Sequence, residues 1–322
     1  MRAIIQSEYG TSEVLSLGEV DRPTIAKDEV LVQVHAAALD RGTWHLMAGL
    51  PYVVRLGFGL RAPKNPVPGL DVAGTVVAVG EEVTTFSPGD EVFGVGKGSW
   101  AEYTAAKESK LAIKPETLSF EAAAALPISG LTALQALRDI AKVEPGQHVL
   151  VLGASGGVGS YAVQIAKAFG ADVTGVCSTG KLEYVRSLGA DHVIDYTAGD
   201  WSADGARYDV ILDMGGNSRI SKLRSSLTPT GTLVIVGGEN GGKLIGGVQR
   251  QLGAITASPF VKQRLTAFLS KEKGADIEEL GKMVQAGTLT STVDRTYPLA
   301  EAAHAMRDME NGTVRGKVVI TV

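Results

Sequence analysis

Between an apolar run, Val149 to Leu152, and an amphipathic run, Gly159 to Phe169, the chain carries Gly153-Ala154-Ser155-Gly156-Gly157-Val158-Gly159. Small residues in this pattern suit the binding of a phosphate-bearing dinucleotide. In a G-x-G-x-x-G register Ala154 replaces the first glycine, and Gly156 and Gly159 keep the other two. At Gly156 a backbone without a Cβ lets a pyrophosphate approach, and at Gly159 it lets the helix pack closely on the strand. A helix starting there turns free N–H groups and partial positive charge towards the phosphates. The plain alternative is a glycine-rich βα turn with no ligand. The strand before, the helix after and a second strand, Asp172 to Val176, favour the dinucleotide.

The end of that second strand bears on which dinucleotide. An NAD site usually places Asp or Glu there to accept from the ribose 2′-OH. This chain has Val176-Cys177-Ser178-Thr179-Gly180-Lys181, and Asp172 stands at the wrong end. Ser178 can donate to a 2′-phosphate and Lys181 can neutralise it. The alternative is that Ser178 and Thr179 cap the next helix and that Lys181 is a solvated lysine. The two roles are compatible, and NADPH is the expected cofactor.

The surrounding elements change character along the chain. Ala3 to Gln6, Val30 to Ala37, Val72 to Val79 and Glu91 to Val95 are short β-branched-rich runs bounded by Gly, Pro and Asp, which predicts strands. From about Ser119 helical spacing appears, in Phe120 to Leu126 and Leu131 to Ile140, with Pro127 interrupting. Apolar strands then alternate with helices. Val149 to Leu152, Asp172 to Val176, His192 to Ile194, Val210 to Leu212 and Leu233 to Val236 are separated in part by helices Gly159 to Phe169 and Lys181 to Leu188. Gly170 and Gly189 stop these two helices. The pattern predicts a parallel sheet covered on both faces. Helices over Ile277 to Gln285 and Leu299 to Met309 and a strand over Lys317 to Val322 follow.

The chain has 322 residues, 40 of them Gly, which is too long for one ordinary core. Its net charge of -4 suggests no electrostatic surface for nucleic acid or anionic lipid. A single cysteine, Cys177, excludes an intrachain disulfide and fits a reducing cytoplasm. No signal-peptide pattern or membrane-length apolar run is present, so a cytoplasmic protein without a nucleic-acid or membrane partner is expected.

Several segments together resemble the medium-chain dehydrogenase/reductase superfamily, in its zinc-free, quinone oxidoreductase-like branch. They are the glycine loop, Val67-Pro68-Gly69-Leu70-Asp71-Val72-Ala73-Gly74-Thr75-Val76, Pro88-Gly89-Asp90-Glu91-Val92-Phe93-Gly94, Ala125-Leu126-Pro127-Ile128-Ser129-Gly130-Leu131-Thr132-Ala133, and Leu188-Gly189-Ala190-Asp191-His192-Val193-Ile194-Asp195-Tyr196. The resemblance implies an α/β protein with a GroES-like, β-rich catalytic domain, residues 1-122 and 286-322. A doubly wound Rossmann domain for NADPH, residues 123-285, is inserted in it. Cofactor and substrate are expected in the cleft, and a homodimer is common. Carried over residue by residue, Thr132 is similar to the threonine near the nicotinamide carboxamide. Ser178, Lys181 and Tyr196 are similar to the 2′-phosphate and adenine-ribose contacts. Val236 and Gly237 are similar to nicotinamide-side backbone contacts. Alternatives stay open. Thr132 can bond its own helix turn, Tyr196 can be a half-buried strand end, and Gly237 can serve only a turn.

Zinc-dependent members hold a catalytic metal with Cys and His. Here the matching regions read Ala38-Leu39-Asp40-Arg41-Gly42-Thr43-Trp44-His45 and Gly69-Leu70-Asp71, with Leu70 where His is expected. A zinc site of the usual kind is not expected. Without a Lewis acid, a quinone or α,β-unsaturated carbonyl is the easier acceptor, because its incoming charge is delocalised. Tyr52 is the candidate proton donor, with an exposed loop aromatic as the alternative. Asp40 stands where relatives often carry Asn near the nicotinamide. Two rivals remain, an enoyl-thioester reductase and a non-catalytic NADPH-binding regulatory protein.

Overall fold

The structure is a computed structural model and describes residues 1–238 and 242–322. The chain divides into two compact units. One comprises Met1–Leu131, Glu272–Gly287 and Ser291–Val322, and the other Thr132–Lys271 and Thr288–Thr290. These limits differ from 122/123 and 285/286. The helix Gly274–Gln285, expected in the second unit, belongs to the first. Its Ile277 and Leu280 are fully buried, and a Cβ on Gly281 would stand 3.2 Å from Pro115 and 3.4 Å from Phe93.

The first unit is built on a seven-stranded sheet. Along it lie Val293–Pro298, Lys317–Thr321, Glu29–Ala38, Asp71–Val79, Glu91–Val95 and Leu111–Ile113, while Tyr103–Lys107 also pairs with Glu29–Ala38. The expected strand near the carboxyl end does return to this unit. It pairs antiparallel with Glu29–Ala38, Val319 opposite Ala38. Val30, Val32, Val72, Val92 and Trp100 fill the core. A short helix, Arg41–Ala48, leaves this sheet. Asp40 caps its start and Gly49, at φ 60°, ends it.

The second unit holds six parallel strands: β1 His148–Leu152, β2 Asp172–Cys177, β3 His192–Asp195, β4 Tyr208–Asp213, β5 Leu227–Ile235 and β6 Arg264–Ala267. Their spatial order is β3-β2-β1-β4-β5-β6. The order reverses between β1 and β4, which is where doubly wound sheets open a crevice at their carboxyl edge. Val149, Leu150 and Val151 are all fully buried. Successive strand residues face opposite ways, so both faces of β1 are covered. Strand β6 has no counterpart in the sequence reading. Its Arg-Leu-Thr-Ala is too short and mixed to announce a strand. Strand β5 begins six residues earlier than Leu233, running through Gly231. Pro127 opens a helix, Pro127–Gln135, rather than only breaking one, because the first helical position needs no N–H bond.

Candidate functional site

The glycine loop joins β1 to the helix Gly157–Ala168. Its glycines answer to different demands. Gly153 sits at φ +84°, where a side chain is strained. A Cβ on Gly159 would stand 2.1 Å from the Gly153 carbonyl oxygen and 2.8 Å from Ala154 Cα, so helix and strand touch through it. Gly156, the N-cap residue, has ordinary extended angles, φ -84° and ψ 177°. A Cβ there would meet only the Gly153 oxygen, at 3.5 Å. Nothing within the protein therefore requires glycine at 156, as expected if its bare backbone faces a ligand. Ala154 is fully buried and Ser155 nearly so. The amides of Gly153 and Ala154 both donate to the Val176 carbonyl, at 3.1 and 3.0 Å, tying the loop to the end of β2. Gly157 and Val158 form the half-buried first turn of the helix.

The ends of β2 and β3 bring Ser178, Lys181 and Tyr196 to the same edge. Asp195 lies opposite Cys177 in the ladder, and the Tyr196 amide donates to the Cys177 carbonyl at 3.1 Å. Ser178 precedes a 3₁₀ turn, Thr179–Lys181, and its hydroxyl makes no cap bond. Thr179 turns away to Asp195 and Thr197, at 2.5 and 2.7 Å. These hydroxyls hold the Asp195 carboxyl below the usual range, Thr179 contributing most. Cys177 is buried, and burial pushes its thiol up to about 11, with Asp195 adding to the rise and Lys181 and Arg186 opposing it. That thiol is neither a nucleophile nor a ready metal ligand at neutral pH. Tyr196 is 56% exposed, an open ring at the rim.

Across the strand reversal, Val236 and Gly237 follow β5. Both amides donate to the Asp213 carbonyl, at 3.0 and 3.1 Å. A Cβ on Gly237 would lie 1.8 Å from the Met214 oxygen, so only glycine fits. Thr132 donates through its hydroxyl to Ser270 Oγ at 3.0 Å. Sequence reasoning missed the acid at the end of β4. Asp213 is 1% exposed, accepts from the Gly216 amide at 3.0 Å and pairs with Arg250. Burial raises its carboxyl while Arg250 opposes the rise. An acid ending an apolar strand beside the glycine loop was the available signal. Arg250 gave none, since its helix Val248–Ala257 reads as ordinary surface.

In the β-rich unit Asp40 is 6% exposed, and Thr43 engages both its oxygens, the amide at 2.7 Å and the hydroxyl at 3.0 Å. It is thereby a helix cap. Tyr52 opens a 3₁₀ turn, Tyr52–Val54, and is 42% exposed with the Arg55 guanidinium 4.5 Å above its ring. His45 lies within 2.7 Å of the Leu50 carbonyl through Nδ1. Asp71, fully buried, accepts from Lys317 Nζ and the Ile128 amide, both at 2.8 Å.

Two family profiles match this chain, one described as alcohol dehydrogenase GroES-like domain over residues 26–116 and one as zinc-binding dehydrogenase over residues 188–320. The chain is 32% identical to the chloroplastic quinone-oxidoreductase QR1 of Triphysaria versicolor, over 99% of this chain and 98% of that protein. It is 35% identical to the chloroplastic NADPH-dependent alkenal/one oxidoreductase of Arabidopsis thaliana, over 99% and 79%. Among solved structures, the quinone oxidoreductase of Coxiella burnetii superposes with a TM-score of 0.86 at 31% identity, covering 100% of this chain and 99% of that one.

The chain belongs to the medium-chain dehydrogenase/reductase superfamily, in its quinone oxidoreductase-like branch. As a member of that family it departs from zinc-dependent relatives in its own side chains. Leu70 cannot coordinate. Asp40, His45 and Asp71 are held by Thr43, Leu50 and Lys317 as described. Cys177 is buried at the end of β2. Among the described residues no group of three His, Cys, Asp or Glu side chains is placed to hold a metal ion. The residues present do not fit the family's zinc sites. No helix among the described residues is long and apolar enough to cross a membrane.

Proposed function

We propose that this chain is an NADPH-dependent, zinc-independent reductase of quinones or α,β-unsaturated carbonyls, working as a cytoplasmic homodimer. The observation that carries the reading is the carboxyl edge of the parallel sheet. Gly156 offers an open, bare backbone at a helix N-terminus, and Ser178, Lys181 and Tyr196 converge beside it. No carboxylate ends β2, and Asp195, at the end of β3, has its oxygens engaged by Thr179 and Thr197. The names of the Triphysaria and Arabidopsis relatives support the acceptor class and the cofactor.

In this reading the amides of Gly156, Gly157, Val158 and Gly159 face the pyrophosphate, where the helix end favours negative charge. Ala154 and Ser155 shape the approach. Ser178 and Lys181 hold the 2′-phosphate, Tyr196 lies against the adenosine ribose, and Thr132, Val236 and Gly237 orient the nicotinamide. NADPH supplies the hydride. The β-carbon of an enone, or a quinone, accepts it, and charge develops on the carbonyl oxygen. Tyr52 delivers a proton through its phenol, its ring fixed by Arg55. Asp40 acts at one remove, by fixing the start of helix Arg41–Ala48 rather than by touching reacting atoms. Because the accepted charge is delocalised, the geometry of donor and acceptor matters more than a Lewis acid.

The test is NADPH oxidation by the purified protein with a panel of quinones, enones and an enoyl thioester, with and without a chelator, repeated with NADH. Turnover of quinones or enones that prefers NADPH and ignores the chelator is expected. Tight NADPH binding with no turnover on any acceptor would replace this reading with a regulatory one.

A further inference from the structure

The net charge of the whole chain conceals a local exception. From Arg41 to Leu70 there is no Asp or Glu, while Arg41, Arg55, Arg61 and Lys64 fall within the segment. The same segment holds the densest run of exposed large apolar side chains among the described residues: Tyr52 at 42%, Val53 at 43%, Leu56 at 73%, Phe58 at 52% and Leu60 at 68%. Scattered single apolar residues on a surface are ordinary; a contiguous set rimmed by one sign of charge marks an interaction site.

The segment is braced from within. Tyr9 Oη donates to the Gly59 carbonyl at 2.6 Å, Lys64 Nζ to the Gly57 carbonyl at 3.0 Å and Arg55 Nε to the Gly49 carbonyl at 2.9 Å. Backbone bonds from Lys64 to Phe58 (2.8 Å) and from Gly59 to Arg55 (2.9 Å) close the turn. Gly59 sits at φ +127°, with the Ala62 oxygen 2.0 Å from where its Cβ would be, so the turn is specific to glycine. In Leu56-Gly57-Phe58-Gly59-Leu60 the Gly57, Phe58 and Gly59 carbonyls and the Gly59 amide are thus bonded, while the Leu56, Phe58 and Leu60 side chains are exposed. That combination suits an interfacial anchor, since unpaired backbone groups would oppose entry into an apolar boundary.

We propose that residues 56–64 form a contact with an anionic lipid bilayer surface. Leu56, Phe58 and Leu60 enter the boundary between headgroups and acyl chains, and Arg61 and Lys64 pair with anionic headgroups. Charge complementarity selects this occupant: the segment contributes cations and no carboxylate of its own, and an anionic leaflet gains from each cation where a neutral apolar partner would not. The contact stands independently of the acceptor assigned above.

The experiment is co-sedimentation of the full chain with vesicles of phosphatidylcholine alone or mixed with phosphatidylglycerol, at low salt and at about 0.15 M salt. The protein is expected on the phosphatidylglycerol vesicles, more at low salt. Arg61→Gln and Lys64→Gln are each expected to lower partitioning about fivefold. Leu56→Ser with Phe58→Ser and Leu60→Ser is expected to abolish the salt-resistant part. Phe260→Ser and Leu269→Ser, both at positions 88% exposed, serve as controls and should leave it unchanged. A second readout avoids dependence on the triple variant. With Cys177 buried and its thiol pushed up to about 11, Leu60→Cys adds a single reactive thiol, and a polarity-sensitive dye there should shift to the blue on the anionic vesicles. Wild-type protein left in solution with both vesicles at low salt would overturn the proposal. So would equal losses in the Phe260 and Leu269 controls. A loop variant that changes the oligomeric state while vesicle binding is absent would assign the surface to a second copy of the chain instead.

Discussion

Lys317 Nζ donates to Asp71 Oδ2 at 2.8 Å, and the two side chains are 1% and 0% exposed. The bond joins the strand Lys317–Thr321 to Asp71–Val79, two strands of one sheet separated by Glu29–Ala38. Burial pushes the Asp71 carboxyl up to about 6, with Lys317 pulling it down and Asp40 pushing it further up. The folded-state value therefore exceeds the ordinary 3.8 of an unfolded chain. The native state holds the extra proton between about pH 4 and 6, so this group's contribution to stability falls as pH rises through that window and is level above it.

Removing the lysine should sharpen that dependence. Lys317→Met leaves Asp71 buried without its cation, so its carboxyl stays protonated to higher pH and ionises at greater cost. Loss of stability should be about 3–5 kcal/mol at pH 8 and clearly smaller at pH 5, where Asp71 is already largely protonated. Urea midpoints at the two pH values check this; equal losses would mean that the pair is not coupled as described.

Gly159 and Gly156 should respond in opposite ways to alanine. Gly159→Ala forces a Cβ against the Gly153 oxygen and should cost at least about 2 kcal/mol in thermal unfolding. Gly156→Ala has room and compatible angles, so stability should stay within about 0.5 kcal/mol. NADPH affinity, followed by fluorescence titration, should nevertheless fall more than about tenfold, or about 1.4 kcal/mol. Unchanged binding in Gly156→Ala would remove the pyrophosphate from that position.

Lys181→Ala should weaken NADPH by roughly 10- to 100-fold, the usual scale of a lost charge-assisted bond. NADH should change by less than about threefold, because it lacks the phosphate. Parallel titrations with both nucleotides decide the matter, and equal losses would place Lys181 elsewhere in the site.

Tyr52→Phe should lower kcat about 100-fold, within the range of general acid catalysis, with NADPH affinity intact. Steady-state kinetics beside cofactor titration separate the two quantities. An unaltered kcat would leave proton delivery to water.

What was legible in the sequence was whatever depends on local pattern. The β1–helix–β2 unit was readable because strand, glycines and amphipathic helix are contiguous, and Gly159 was correctly assigned to close packing by its place in that unit. Tyr196 was grouped with Ser178 and Lys181 by the family resemblance, and the parallel pairing of β2 with β3 puts the three at one edge. Pairings between distant segments left little trace. Lys317 begins an apolar strand, yet nothing in Lys-Val-Val-Ile-Thr names Asp71 as its partner. Asp40 looked like a group near the chemistry because its position was matched to relatives; only the bonds from Thr43 reveal a helix cap. A net charge averages over the chain, whereas a surface is felt locally, and residues 41–70 differ in sign from the whole.

The pairing of Lys317–Thr321 with Glu29–Ala38 also fixes an order of events during synthesis. Glu29–Ala38 leaves the ribosome long before Lys317–Thr321 and lacks this neighbour until that strand has emerged. By then all six strands of the parallel sheet, ending at Ala267, are already outside. The first unit is therefore closed only after the parallel sheet is made, and until then Glu29–Ala38 has an open edge and Asp71 lacks Lys317. That interval is when the nascent chain is most open to wrong strand partners and in most need of a chaperone.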